Sequence, residues 1–147
     1  MRLFNRLRGA APKLTTPVDR PLTEEELRLA DHLLRHAAPP EALAFIPQLA
    51  HARVTGYCPC GCPTVDLSVP PEMRVQNPPP ARPLADATGR VNGKLVGVML
   101  FQEDGLLSLL EGYRLEDVSD DPFGLPAIET VERLQWNEDG SMRSTQS

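Results

Sequence analysis

The sequence predicts an α+β fold, with two N-terminal helices packed on an antiparallel sheet of about four strands arranged as two hairpins. Three observations lead there. Apolar residues recur at helical spacing behind a capping sequence near residue 23, and the hydrophobic period then switches to alternation beyond residue 53. Sixteen prolines and ten glycines in 147 residues exclude an all-helical chain. The length suits one domain with its own core, and with aromatics at only 5% that core must be mainly Leu and Val.

Residues 1–21 read as a flexible basic arm followed by a linker, with three prolines between Gly9 and Pro21. The domain itself is expected over 22–136. Thr23-Glu-Glu-Glu26 is a capping box, and Leu27, Ala30, Leu33, Leu34 and Ala37 form the apolar stripe of a helix over about 23–37. Pro39-Pro40 stops it. A second short helix opens at Pro40, presents Ala42, Phe45, Ile46 and Leu49 on one face, and is kinked by Pro47.

Arg53–Tyr57 is short and β-prone, and Thr64–Val69 alternates, with Val65, Leu67 and Val69 facing one way and Thr64, Asp66 and Ser68 the other. The tight connection Cys58-Pro-Cys-Gly-Cys-Pro63 makes this pair a hairpin. Residues 70–90 hold six prolines and read as a long loop. Leu95–Gln102 is a buried strand, Glu103-Asp-Gly105 a turn, and Leu106–Tyr113 the returning strand. Ile128–Trp136 fits a last strand or a short helix, and 137–147 reads as a frayed tail.

The formal net charge of −5 is unevenly distributed. Residues 1–20 carry five basic side chains against Asp19, whereas the rest of the chain carries 10 basic and 19 acidic ones, a balance of −9. Phosphate recognition needs a basic surface, so nucleic-acid binding by the folded domain is not expected. An acidic field of this kind serves solubility or receives a basic protein partner. The longest apolar run, Leu95–Phe101, is far short of the roughly 20 residues that a transmembrane helix needs. Met1–Arg8 lacks the apolar stretch of an export signal, so a cytoplasmic location with reduced cysteines is the expectation.

Cys58, Cys60 and Cys62 are the most chemically pointed feature. In a straight strand alternate residues stand about 6.6 Å apart, which would put Cys58 and Cys62 about 13 Å from each other. They meet one zinc ion only if the chain curls, and Pro59, Gly61 and Pro63 stand where a curl can form. Three readings stay open: reduced thiols packed in a turn, metal ligands with zinc as the cofactor, or a reversible disulfide. For zinc a fourth ligand would have to come from His51, Asp66, His32 or His36. The spacing does not match the paired C-x-x-C of zinc ribbons.

No catalytic constellation is evident, and the spacing leaves open whether the protein is an enzyme. A cysteine nucleophile would need His51, His32 or His36 within hydrogen-bond reach. Asp120-Asp121 and Glu103-Asp104 lie in turns, where acidic residues are expected for conformational reasons, and Glu111 and Glu116 lie in or just after a strand. Gly105 and Gly112 do not have the spacing of a phosphate-cradling loop.

Arg20-Pro-Leu-Thr-Glu-Glu25, Ala52-Arg-Val54, Cys60-Gly-Cys-Pro-Thr-Val-Asp-Leu67 and Asp104-Gly-Leu-Leu-Ser-Leu-Leu-Glu111 resemble a family of small uncharacterised bacterial proteins. The resemblance spans about residues 20–115, and its most specific part is the Cys60–Leu67 stretch. It implies a bacterial cytosolic domain and assigns no site residues. Small acidic α+β proteins also look like the immunity partners of bacterial toxins, an analogy at the level of the fold. The leading expectation is therefore a non-enzymatic protein-binding module with an acidic surface, and the alternative is a metal- or redox-active cysteine protein.

Overall fold

The computed structural model describes residues 16–80, 83–116, 122–136 and 142–145. It is α+β, with a larger sheet than expected. Eight strands, β1 (Thr16–Pro21), β2 (Arg53–Tyr57), β3 (Val65–Ser68), β4 (Ala85–Val91), β5 (Lys94–Glu103), β6 (Leu106–Arg114), β7 (Glu132–Trp136) and β8 (Met142–Thr145), form one sheet in the order β1-β2-β3-β6-β5-β4-β7-β8. Every neighbouring pair is antiparallel. The two expected hairpins, β2–β3 and β5–β6, are joined at the β3–β6 seam through Val65 opposite Leu110 and Asp66 opposite Leu109.

The additional strands lie where the sequence reads as loop. The linker expected up to residue 21 is corrected at Thr16–Pro21, which pairs with β2 at the sheet margin despite two prolines. An edge position tolerates them, because an outward-facing missing N–H costs no ladder bond. The register slips between Pro17 and Arg20. The loop expected at 70–90 ends earlier, since Ala85–Val91 pairs residue by residue with β5 across an Asn92-Gly93 turn, both residues at positive φ. Its small and polar residues have little intrinsic β preference, so β5 imposes the strand. Ile128–Thr130 is a 3-10 turn leading into β7, and Met142–Thr145 pairs with β7 rather than fraying. Residues 1–15, Asp120 and Asp121 lie outside the described residues.

Helix α1 (Glu24–His36) starts at the expected capping box: the Thr23 hydroxyl accepts from the Glu26 amide at 3.1 Å, and the Glu26 carboxylate accepts from the Thr23 amide at 2.8 Å. Its buried face is Leu29, Ala30, Leu33 and Leu34, and Leu27 is exposed, so the apolar stripe is turned slightly from the expected one. The second helix is a 3-10 segment, Pro40–Ala50, which buries Ala42, Phe45 and Leu49 as expected. Pro47 within it cannot donate to an α-helical ladder. Gln48, 1% exposed, donates to the Met73 and Gly105 carbonyls and accepts from the Leu107 amide, tying this segment to the β5–β6 turn.

Both helices sit over one face of the sheet, where Val54, Val65, Leu67, Val98, Leu100 and Leu110 complete the core with Leu29, Leu33 and Phe45. Each fully buried Leu or Phe contributes about 1.5–3 kcal/mol. Phe101 and Leu109, opposite each other in register, are buried outside that cluster.

Arg20 at the end of β1 holds Glu26 in a two-pronged ion pair, at 2.9 and 3.0 Å, and so clamps the edge strand to the start of α1. Burial pulls the Glu26 carboxyl upward, but the bonds from Arg20 and Thr23 and the Arg20 charge outweigh it, and the pKa lies below its ordinary 4.5. A carboxylate with a depressed pKa stabilises the fold above that value and loses the contribution as pH falls through the folded pKa. Glu26→Gln is expected to cost about 1–2 kcal/mol at pH 7 in urea unfolding, less than a fully buried pair because Arg20 is partly open to water. The difference from wild type should shrink steadily at pH values below 4.5.

Candidate metal centre

The sulfurs converge because the chain between β2 and β3 cannot run straight. The Cys58 amide donates to the Thr64 carbonyl at 3.1 Å, closing the loop at its base. At the apex Gly61 has φ +94°, a conformation that glycine adopts without a Cβ clash. A Cβ there would also come within 3.2 Å of Pro122, and the Gly61 carbonyl accepts from the Phe123 amide at 3.3 Å.

At the far end the turn is seated on β6. Pro63 lies so close to Gly112 that a Cβ on that glycine would stand 2.6 Å from the proline ring. The buried Thr64 hydroxyl donates to the Gly112 carbonyl at 3.2 Å and accepts from the Gly112 amide at 3.1 Å. Thr64 and Asp66, expected on the face opposite Val65, Leu67 and Val69, are 1% and 0% exposed, so the strand is covered on both faces as far as Asp66, while Ser68 beyond it is exposed.

On this frame the three Sγ atoms lie within 4.8 Å of one another. The Cys58 thiol donates to Cys60 Sγ at 2.9 Å, the Cys62 amide donates to Cys60 Sγ at 3.3 Å, and the Cys62 thiol donates to the Thr64 hydroxyl at 3.4 Å. Cys58 and Cys62 are partly buried and Cys60 is exposed; all three are free thiols. Desolvation and the hydrogen bonds with Cys58 and Cys62 push the Cys60 thiol up to about 11. Without a cation among the sulfurs, the Cys60 thiol therefore stays protonated at neutral pH.

The arrangement fits a soft metal ion. Sulfurs bound tetrahedrally to zinc at about 2.3 Å stand about 3.8 Å apart. The separations here, 2.9 Å for Cys58–Cys60 and no more than 4.8 Å for any pair, bracket that value. Among the described residues no histidine or carboxylate joins the group. Asp66 is buried in β3, and His51 is exposed at the end of the 3-10 segment; neither is in the cluster. His32 and His36 lie side by side on α1 with ring centroids 4.7 Å apart and planes tilted by 44°, and line a separate depression of about 500 Å³ with Leu27, Ile46 and Leu49.

Two of the carboxylates considered as catalytic have other work. Asp104 sits at positive φ in the β5–β6 turn and pairs with Arg74 at 3.3 Å, and Glu116 accepts from the Leu95 amide at 2.8 Å. Sequence reasoning missed Thr64 and Gly112 as parts of the site. Their contact joins residues 48 positions apart, and no local pattern announces it.

The chain matches no protein-family model, no curated protein and no solved structure. Among the described residues no helix is long and apolar enough to cross a membrane.

Gly112→Ala should force Pro63 away and loosen the turn, costing about 1–3 kcal/mol as an overpacked contact. The three thiols of this variant should react faster with an aromatic disulfide reagent than those of the wild type, and the two rates measured side by side check this.

Proposed function

We propose that the protein is a metal-binding domain that holds one thiophilic ion through the thiolates of Cys58, Cys60 and Cys62. The observation that carries this is the convergence of three sulfurs within 4.8 Å on a turn whose shape is set by contacts to β6 and to residues 122–123. Those contacts need no ion, so the ligand positions belong to the fold. Binding then displaces three protons and joins the two ends of the β2–β3 connection.

The elevated Cys60 pKa disfavours Cys60 as an attacking thiol, because disulfide exchange proceeds through a readily formed thiolate. Packed neutral thiols would leave the enclosure of three sulfurs with no consequence beyond filling space. The alternative of an acidic surface receiving a basic protein is supported by the −9 balance beyond residue 20. The two depressions along α1 do not decide it, since Arg28 lines both, with Asp31 in one and Glu25 and Glu129 in the other.

Elemental analysis of the full chain purified without chelators should find one equivalent of a thiophilic metal. Cys60→Ser should lose it and His51→Ala should keep it. The bound metal should dissociate on acidification as the thiols regain their protons. Metal-free protein whose three thiols react freely, and which takes up no ion on reconstitution, would refute the proposal.

A further inference from the structure

Resting on the three-thiolate site proposed above, we infer that its ion is monovalent copper, bound by sulfur alone in three-coordination. The donor set is the first ground. Structural zinc sites are almost always four-coordinate, and here one turn supplies three ligands with no imidazole or carboxylate beside them among the described residues. The oxygen in contact with the cluster is the Thr64 hydroxyl, a neutral group already committed to both the amide and the carbonyl of Gly112.

The second ground is that the turn cannot readily reshape to recruit a fourth ligand. It is pinned at Cys58–Thr64, at Pro63–Gly112 and at Gly61–Phe123. A zinc ion completed by water would have an open position of the catalytic type, yet among the described residues no histidine or carboxylate accompanies the sulfurs to take a proton from that water. Thiolates suit both zinc and monovalent copper, and three of them with no fourth ligand suit copper(I), which accepts three-coordination, over zinc, which takes four ligands.

The third ground is the surrounding shell. Three thiolates and a monovalent ion carry a net charge of −2. Arg114 places its guanidinium 4.5 Å from the centre of the Phe123 ring, and the Phe123 amide in turn bonds to Gly61 at the apex of the turn. Arg114 is thereby linked through Phe123 to the turn that carries the cysteines, and Pro122 packs at the same apex. Outer groups of this kind tune a bound ion.

The test is an anaerobic titration of the reduced full-length chain with copper(I), supplied as its acetonitrile complex, and separately with zinc(II), each against a chromophoric chelator. Copper X-ray absorption of the loaded protein completes it. We expect one copper(I) per chain, displacement of zinc(II) by copper(I), and a first shell of three sulfurs with no nitrogen or oxygen. Cys60→Ser, whose exposed position makes it tolerant, should weaken copper binding at least tenfold and leave two sulfurs, while His51→Ala should behave as wild type. Zinc(II) retained against copper(I), or a nitrogen or oxygen donor in the copper shell, overturns this inference and leaves the three-thiolate site standing. Failure of both ions to bind overturns the two together.

Discussion

The contact between Pro63 and Gly112 is the constraint on which the cysteine turn depends. A proline ring at the end of a tight connection rests on a strand position that has no side chain, and the next residue, Thr64, satisfies both backbone polar groups of that same glycine. A buried hydroxyl that donates and accepts at once leaves neither backbone polar group of Gly112 unpaired. The junction also lies where β3 meets β6, the seam that joins β1–β2–β3 to β4–β5–β6 in the sheet. Register at the centre of the sheet and sulfur geometry at its rim are therefore fixed by the same few atoms.

Pre-formed ligands have a thermodynamic consequence. A flexible loop must lose conformational freedom when it wraps an ion, and that loss subtracts from affinity. Here the loss is taken when the domain folds, through the burial of Leu29, Leu33, Phe45 and their neighbours. The cost that remains is electrostatic. The Cys60 thiol resists ionisation beside its two neighbours, and a cation among the sulfurs reverses that preference.

Much of the fold was legible in the sequence, and the omissions have physical causes. The capping box at Thr23 and Glu26, the Asp104-Gly105 turn and the alternation of Val65, Leu67 and Val69 are local signals that the structure follows. β1 and β4 escaped because their prolines, alanines and glycine carry no alternating apolar pattern, and both are strands by virtue of their partners. A usable clue was present at Asn92-Gly93, a two-residue hairpin sequence of the same kind as Asp104-Gly105. At the site, the prolines and Gly61 announced that Cys58–Cys62 must curl. Its anchoring to Gly112 and Pro122 depends on residues distant in the chain and could not be read locally.

The central claim, that one ion sits among three sulfurs supplied by a single turn, is tested most directly by nuclear magnetic resonance of the chain loaded with cadmium-113, a thiophilic spin-half surrogate. The account predicts one cadmium resonance with scalar coupling to the β-protons of Cys58, Cys60 and Cys62 and to no other residue. Coupling to fewer than three cysteines, or to a histidine ring, would contradict it.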